Sequence, residues 1–432
     1  MNSRKINIVT LGCSKNLVDS EKLLKQLEAG GFEIVHNSGD PGEAGTVIIN
    51  TCGFINDARE ESIDTILRYV RAKKSGKFEN LYVMGCLAER YMHALKSEIP
   101  EVREYFGVND MAGILRELGA RQRGELLTSR VITGPGHYAY LKVSEGCDRS
   151  CAFCAIPSIR GKHISRPAEE IMKEASELAD SGVKELILIA QDLSYYGLDL
   201  YRKQALPELV TDLLGIRSLV WIRLHYLYPA NFPSGLIPVI SNNSRVCSYL
   251  DMPVQHISDR MLGLMRRSHG RRETEALLAR LRHEIPDAAI RTTLIAGHPG
   301  ESERDYAELR DFITDFRFDR LGVFTYSHEE GTYAFSHYED DIPEKVKQSR
   351  VSELMEIQQD ISAELNSKRI GSTLKVLVDR REGEFFAGRT EFDSPEVDQE
   401  VLIPSGHNLV AGNFYNILIT GSDDFDLYGI PG

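Results

Sequence analysis

Nowhere in the 432 residues is there an apolar run near the roughly 20 needed for a membrane-spanning helix. The opening Met1-Asn2-Ser3-Arg4-Lys5-Ile6 has no signal-peptide core and leads straight into a strand pattern, so a cytoplasmic location with no membrane partner is expected. Basic residues are also short. Fifty-one Lys and Arg against 64 Asp and Glu leave a net charge of -13, which argues against broad, phosphate-driven nucleic-acid binding. A local basic groove stays open, and a basic protein partner suits the charge. Cysteines are few, seven in all, and in a reducing compartment they are not expected to be disulfides. What is present, 42% hydrophobic and 27% charged residues, describes a soluble globular chain long enough for two or three domains.

Short apolar runs alternate with amphipathic stretches over residues 1 to about 120. Ile6–Thr10, Thr46–Asn50 and Leu81–Met84 read as strands; Asp19–Gly30 and Asn56–Ala72 read as helices. This order predicts a doubly wound parallel sheet, an α/β fold, over 1–122. Arg121–Gly136, rich in Arg, Gly and Pro, reads as a linker. Six further strands are expected at Ala139–Val143, Leu186–Ala190, Val220–Tyr226, Ser248–Val254, Ile290–Ala296 and Leu321–Tyr326, with helices such as Pro167–Gly182 and Ser302–Phe316 between them. Six such units predict a partial (β/α)6 barrel over 133–364. A polar helix is expected from Pro343 to about Arg369. Short strands at Leu374–Val378, Phe385–Gly388, Glu400–Ile403 and Phe414–Thr420 then predict a small all-β barrel over 367–432.

Six of the cysteines fall into two groups of three. Cys147, Cys151 and Cys154 are separated by three and then two residues, after the first barrel strand. Thiolates are the natural ligands of an iron–sulfur cluster, and three of them leave one iron of a four-iron cluster open. An open iron can bind the amino and carboxylate groups of S-adenosylmethionine. The competing reading is structural zinc, which normally takes four protein ligands; His163 is the nearest candidate for a fourth. Cys13, Cys52 and Cys86 lie far apart in sequence, but each follows a predicted strand, which puts them together at the carboxyl edge of one sheet. Gly12, Gly53 and Gly85 would let backbone approach a bulky cluster. Buried small hydrophobes are the competing reading here. Cys247 reads as a buried strand residue.

Polar residues at barrel strand ends are the remaining candidates. Gln191, Gln255 and Gly297 are assigned to an S-adenosylmethionine pocket. His256 could join them, or could help cap a helix at Ser258. Gly297-His298-Pro299-Gly300 is explained nearly as well by a plain turn.

Leu11-Gly12-Cys13-Ser14-Lys15-Asn16-Leu17-Val18-Asp19-Ser20-Glu21, Asn50-Thr51-Cys52-Gly53-Phe54-Ile55, Gly85-Cys86-Leu87-Ala88-Glu89-Arg90-Tyr91 and Ile156-Pro157-Ser158-Ile159-Arg160-Gly161-Lys162 carry a resemblance. With the Cys147 loop they make the chain resemble, over essentially its full length, the methylthiotransferases of the radical S-adenosylmethionine superfamily. The likeness is to the branch acting on an aspartate of ribosomal protein S-twelve. The tRNA branch usually has Gln-Met-Asn where this chain has Ser14-Lys15-Asn16, and His298 stands where an aromatic residue is usual.

The resemblance implies a radical S-adenosylmethionine barrel and a terminal barrel of the TRAM type. It implies two 4Fe-4S clusters, the one on Cys147, Cys151 and Cys154 cleaving S-adenosylmethionine to a 5′-deoxyadenosyl radical. That radical would take a hydrogen from the β-carbon of the aspartate, and the cluster on Cys13, Cys52 and Cys86 would deliver methylated sulfur. The implied partners are S-twelve, free or within a ribosomal particle, and an electron donor such as flavodoxin or ferredoxin. A tRNA adenosine methylthiotransferase and a non-catalytic iron–sulfur or zinc module for ribosome assembly are the alternatives. From Asn366 onward eleven acids face six bases, and this excess suggests a barrel that steers a basic protein rather than tRNA.

Overall fold

Val47, Ile48 and Ile49 are all fully buried, as a strand covered on both faces requires. The computed structural model describes residues 4–432 and places this strand, Thr46–Thr51, at the centre of a five-stranded parallel sheet. Residues 1–3, the first part of the expected 1–122 unit, lie outside the described residues. The spatial order is Glu33–His36, Lys5–Thr10, Thr46–Thr51, Asn80–Gly85 and Glu104–Phe106. Sequence reading missed the two outer strands, which are short. Between the first and third strands in sequence the chain reverses its winding direction, and a crevice opens at such a switch point beyond the strand ends. Helices Ser14–Ala29, Asn56–Lys74 and Cys86–Glu98 return the chain to the sheet.

Six parallel strands follow: Tyr138–Lys142, Glu185–Ile189, Trp221–Leu224, Tyr249–Asp251, Ala289–Ala296 and Arg320–Thr325. They form two three-stranded sheets joined by the bridge between Ile222 and Val246. The barrel is therefore partial, as expected. Helices Ala168–Asp180 and Glu303–Phe316 pack its outside. Val18, from the first helix of the N-terminal domain, packs with Tyr138, Tyr140, Ile187 and Ile189, which seats that domain on the barrel.

The predicted linker is tied down. Arg130 pairs with Glu21 at 2.8 Å and Glu174 at 3.1 Å, and the Thr133 amide donates to Glu21 at 2.9 Å. Cys247 is buried, but it precedes the strand at Tyr249 and packs against Trp221.

Helix Glu344–Ser367 leads to a closed five-stranded barrel of Thr373–Glu382, Phe385–Arg389, Val401–Pro404, Phe414–Ser422 and Leu427–Pro431. Its 390–398 loop enters the radical barrel. Arg291 binds Asp398 at 3.3 Å and Asp251 at 3.1 Å, Arg320 Nε donates to Asp393 at 3.1 Å, and Ser394 Oγ bonds His225 Nε2 at 2.8 Å. Arg389 holds Asp379 at 2.6 Å and Glu185 at 2.9 Å. Several tail acids are thus internal counter-ions. Among the exposed charges, Glu382, Glu384, Glu396 and Asp423 equal Lys368, Lys375, Arg380 and Arg381 in number, while Glu391, Glu400, Asp424 and Asp426 are half-buried. Part of the acid excess therefore serves internal ion pairs, while Asp379, Glu396, Asp398, Glu400 and Asp426 line one open groove.

Candidate functional site

The site begins at three strand ends. Cys13 is the N-cap of helix Ser14–Ala29, Cys86 is the first residue of helix Cys86–Glu98, and Cys52 follows strand Thr46–Thr51. The positive ends of two helices therefore point at sulfur, which favours bound anions there. Asn16 ties the strand ends together, donating Nδ2 to the carbonyls of Leu11 at 2.9 Å and Thr51 at 3.1 Å.

The glycines act differently from expectation. A Cβ on Gly12 would stand 2.7 Å from that of Cys52, and one on Gly53 would stand 2.7 Å from the Leu87 Cα. Gly85, at φ +100°, packs on the backbone of Thr51. They let the cysteine-bearing loops pack on one another, not on open space.

The second group sits in a loop closed at its base by Ser144–Glu145 pairing with Ile164–Ser165. The Arg149 amide donates to Cys147 Sγ at 3.4 Å, and Arg267 Nη1 to Cys151 Sγ at 3.4 Å. Burial pushes the thiol of Cys86 up to about 12, with Arg160 pulling the other way, and those of Cys147 and Cys154 to about 11 and about 12. Free thiols this hard to ionise are poor nucleophiles; a metal centre removes their protons on binding.

All six cysteines line one cavity of about 370 Å³, together with Gln191, Gln255, Tyr226, Lys15 and Thr293. The two triads, from two domains, face each other across it. Among the described residues no three His, Cys, Asp or Glu side chains gather around a single metal-ion position. Thiolates of a cluster each bind a different iron and stand further apart than donors sharing one ion, so the donor set suits clusters better than zinc.

Gln191 and Gln255 both reach the cavity, and the Oε1 atom of each is buried with no hydrogen-bond donor among the described residues. Gln191 is held by its Nε2, which donates to Glu145 at 2.6 Å, and Gln255 has φ +71°. Two waiting acceptors fit a ligand rich in N–H and O–H donors, as S-adenosylmethionine is.

Gly297 is not among the residues lining the cavity. Its amide donates to Glu301 at 2.7 Å, and the space a Cβ would fill holds Lys347. His256 accepts the amides of Ile257 and Ser258 at 2.9 and 3.0 Å, while Ser258 Oγ bonds Asp305. His298 is buried edge-on against Tyr326 at 4.9 Å.

Sequence reading did not single out Lys15, Arg160, Tyr226 or Arg267, all of which line the cavity. Lys15 and Arg160 stand inside the motifs that carried the resemblance. Tyr226 and Arg267 have no local signal.

This fold and this cavity define a radical S-adenosylmethionine enzyme. The model of that superfamily matches residues 141–313, that of the uncharacterized protein family UPF0004 matches 5–107, and the TRAM domain matches 370–431. The chain is similar to proteins named ribosomal protein uS12 methylthiotransferase RimO. The one from Bacteroides fragilis is 54% identical over 99% of both chains. The one from Porphyromonas gingivalis W83 is likewise 54% identical over 99% of both. The one from Bacteroides thetaiotaomicron is 53% identical over 99% of this chain and 98% of its own. The chain belongs to the uS12 methylthiotransferase family.

Among solved structures, the radical S-adenosylmethionine methyltransferase TsrM from Kitasatospora setae matches with a TM-score of 0.56 at 13% identity, over 75% of this chain and 72% of its own. The cobalamin-dependent radical enzyme OxsB matches with a TM-score of 0.52 at 11% identity, over 84% of this chain and 62% of its own. At such identities the likeness is of fold alone.

Proposed function

We propose that the protein methylthiolates the β-carbon of an aspartate in ribosomal protein uS12. The observation that carries this is the single cavity shared by both cysteine triads. Cys147, Cys151 and Cys154 would hold the 4Fe-4S cluster that takes S-adenosylmethionine, and Cys13, Cys52 and Cys86 a second. Together these groups supply a hydrogen-abstracting radical and the methylated sulfur.

The chain's own residues position and enclose. Gln191 and Gln255 offer acceptors to S-adenosylmethionine. Phe54, Phe153, Tyr226 and Leu227 wall the cavity and hold the reacting groups close together, away from other C–H bonds a radical could attack. No helix among the described residues is long and apolar enough to cross a membrane. We place the protein in the cytoplasm, with domains at 1–122, 133–364 and 367–432, a flavodoxin or ferredoxin as electron donor, and uS12 as target, free or in a ribosomal particle. Mass analysis of uS12 and of tRNA after anaerobic reaction tests the reading. Product is expected on uS12; product on tRNA alone would defeat it.

A further inference from the structure

Four basic side chains line the cavity, and three already have partners. Arg149 pairs with Asp192 at 2.8 Å, and Arg160 with Asp19 and Glu145 at 3.1 Å each. Arg267 donates to Cys151 Sγ and, at 2.6 Å, to the carbonyl of Pro253. Lys15 is different. It directly follows Ser14 at the start of its helix, is only 9% exposed, and has no carboxylate partner among the described residues. Its Nζ stands 3.3 Å over the ring of Tyr226, a contact that offsets only part of the loss of hydration. The helix carries no side-chain cap, so its first amides add positive potential at the same end. A buried ammonium without a carboxylate partner, facing a cavity, has the charge and access to receive one.

We propose that Lys15 grips the side-chain carboxylate of the target aspartate and so selects an acid over an amide or a neutral base. The inference rests on the uS12 reading above. The β-carbon is bonded directly to that carboxylate, so holding the carboxylate fixes the β-carbon between the two triads, on the Cys13 side. The methionine carboxylate of S-adenosylmethionine offers the same chemistry, and the test separates the two.

Anaerobically reconstituted holoenzyme, wild type and Lys15→Gln, is titrated with purified uS12 and with uS12 whose target Asp is changed to Asn. Binding is measured with S-adenosylmethionine but no reductant, and the KM for S-adenosylmethionine is measured with reductant. Wild type is expected to prefer the Asp protein by about tenfold or more. In Lys15→Gln the ratio is expected to fall to about one with full iron content and near-native circular dichroism, and Lys15→Arg should restore part of it. An unchanged ratio in Lys15→Gln overturns the proposal. So does an unchanged ratio with a raised KM, which would give Lys15 to the methionine carboxylate. If instead wild type cleaves S-adenosylmethionine but never modifies uS12, the functional reading itself has failed, whatever stands at position 15.

Discussion

Arg160 Nη2 donates to Asn16 Oδ1 at 2.6 Å, joining the radical barrel to the N-terminal sheet at the point where the two cysteine triads meet. The same nitrogen lies 3.5 Å from Cys86 Sγ, and Asn16 holds the carbonyls of Leu11 and Thr51. A single guanidinium thus touches the frame that carries Cys13, Cys52 and Cys86. Its Nη1 pairs with Asp19 and Glu145, which also bind Lys142. The spacing between the triads runs through this network.

Arg160→Met keeps the bulk of the side chain but leaves the half-buried Asp19 and Glu145 sharing Lys142. The expected cost is about 1–3 kcal/mol, seen by urea unfolding of the apoprotein. The ratio of 5′-deoxyadenosine to methylthiolated product should rise as transfer becomes uncoupled. A variant that keeps both stability and coupling would show that Arg160 does not set the spacing.

The triads should also separate chemically. Cys147→Ala is expected to abolish cleavage of S-adenosylmethionine. Cys52→Ala should leave cleavage in place and remove sulfur insertion, since its thiolate belongs to the other triad. Chromatography of 5′-deoxyadenosine beside mass analysis of uS12 reads both. Loss of all cleavage in a folded Cys52→Ala protein would merge the two roles.

Both triads were legible in the sequence for physical reasons. One has local spacing, and the other falls where apolar runs end, which a parallel sheet brings to one edge. Two outer strands escaped notice because Glu33–His36 and Glu104–Phe106 are short and sit at sheet edges, without a fully buried run. Leu427–Pro431 escaped for its Gly429 and Pro431. The acid excess of the tail overstates the surface charge, because Asp398 and Asp393 meet their arginines 107 and 73 residues away. Lys15 could be seen in the motif, but that it has no carboxylate partner among the described residues is visible only in three dimensions.

The terminal barrel should be an integral support of the radical barrel. Arg291→Met would leave Asp251 and Asp398 buried without their shared cation, costing about 3–5 kcal/mol by urea unfolding. Limited proteolysis near residue 367 should then release the terminal barrel faster. Wild-type stability in Arg291→Met would mean the 390–398 loop does not support the radical barrel.

His225 gives a pH signature. Burial holds its pKa well below 6.5, with Arg223, Arg291, Lys15 and Arg389 adding to the effect. Below about pH 6.5 the unfolded chain takes up a proton at this residue and the folded chain does not, so stability falls with falling pH by up to ~1.4 kcal/mol per pH unit for this one group. His225→Gln should flatten the stability profile between pH 6.5 and 5.5 by about 1 kcal/mol, measured by urea unfolding of apoprotein at each pH. An identical slope in the variant would mean that His225 is protonated in the folded state.

Iron and sulfide content after anaerobic reconstitution tests the central claim most directly. Two clusters facing one cavity predict about eight irons per chain in the wild type, and about four once Cys13, Cys52 and Cys86 are all changed to Ala. About four irons in the wild type, or zinc in their place, would contradict it.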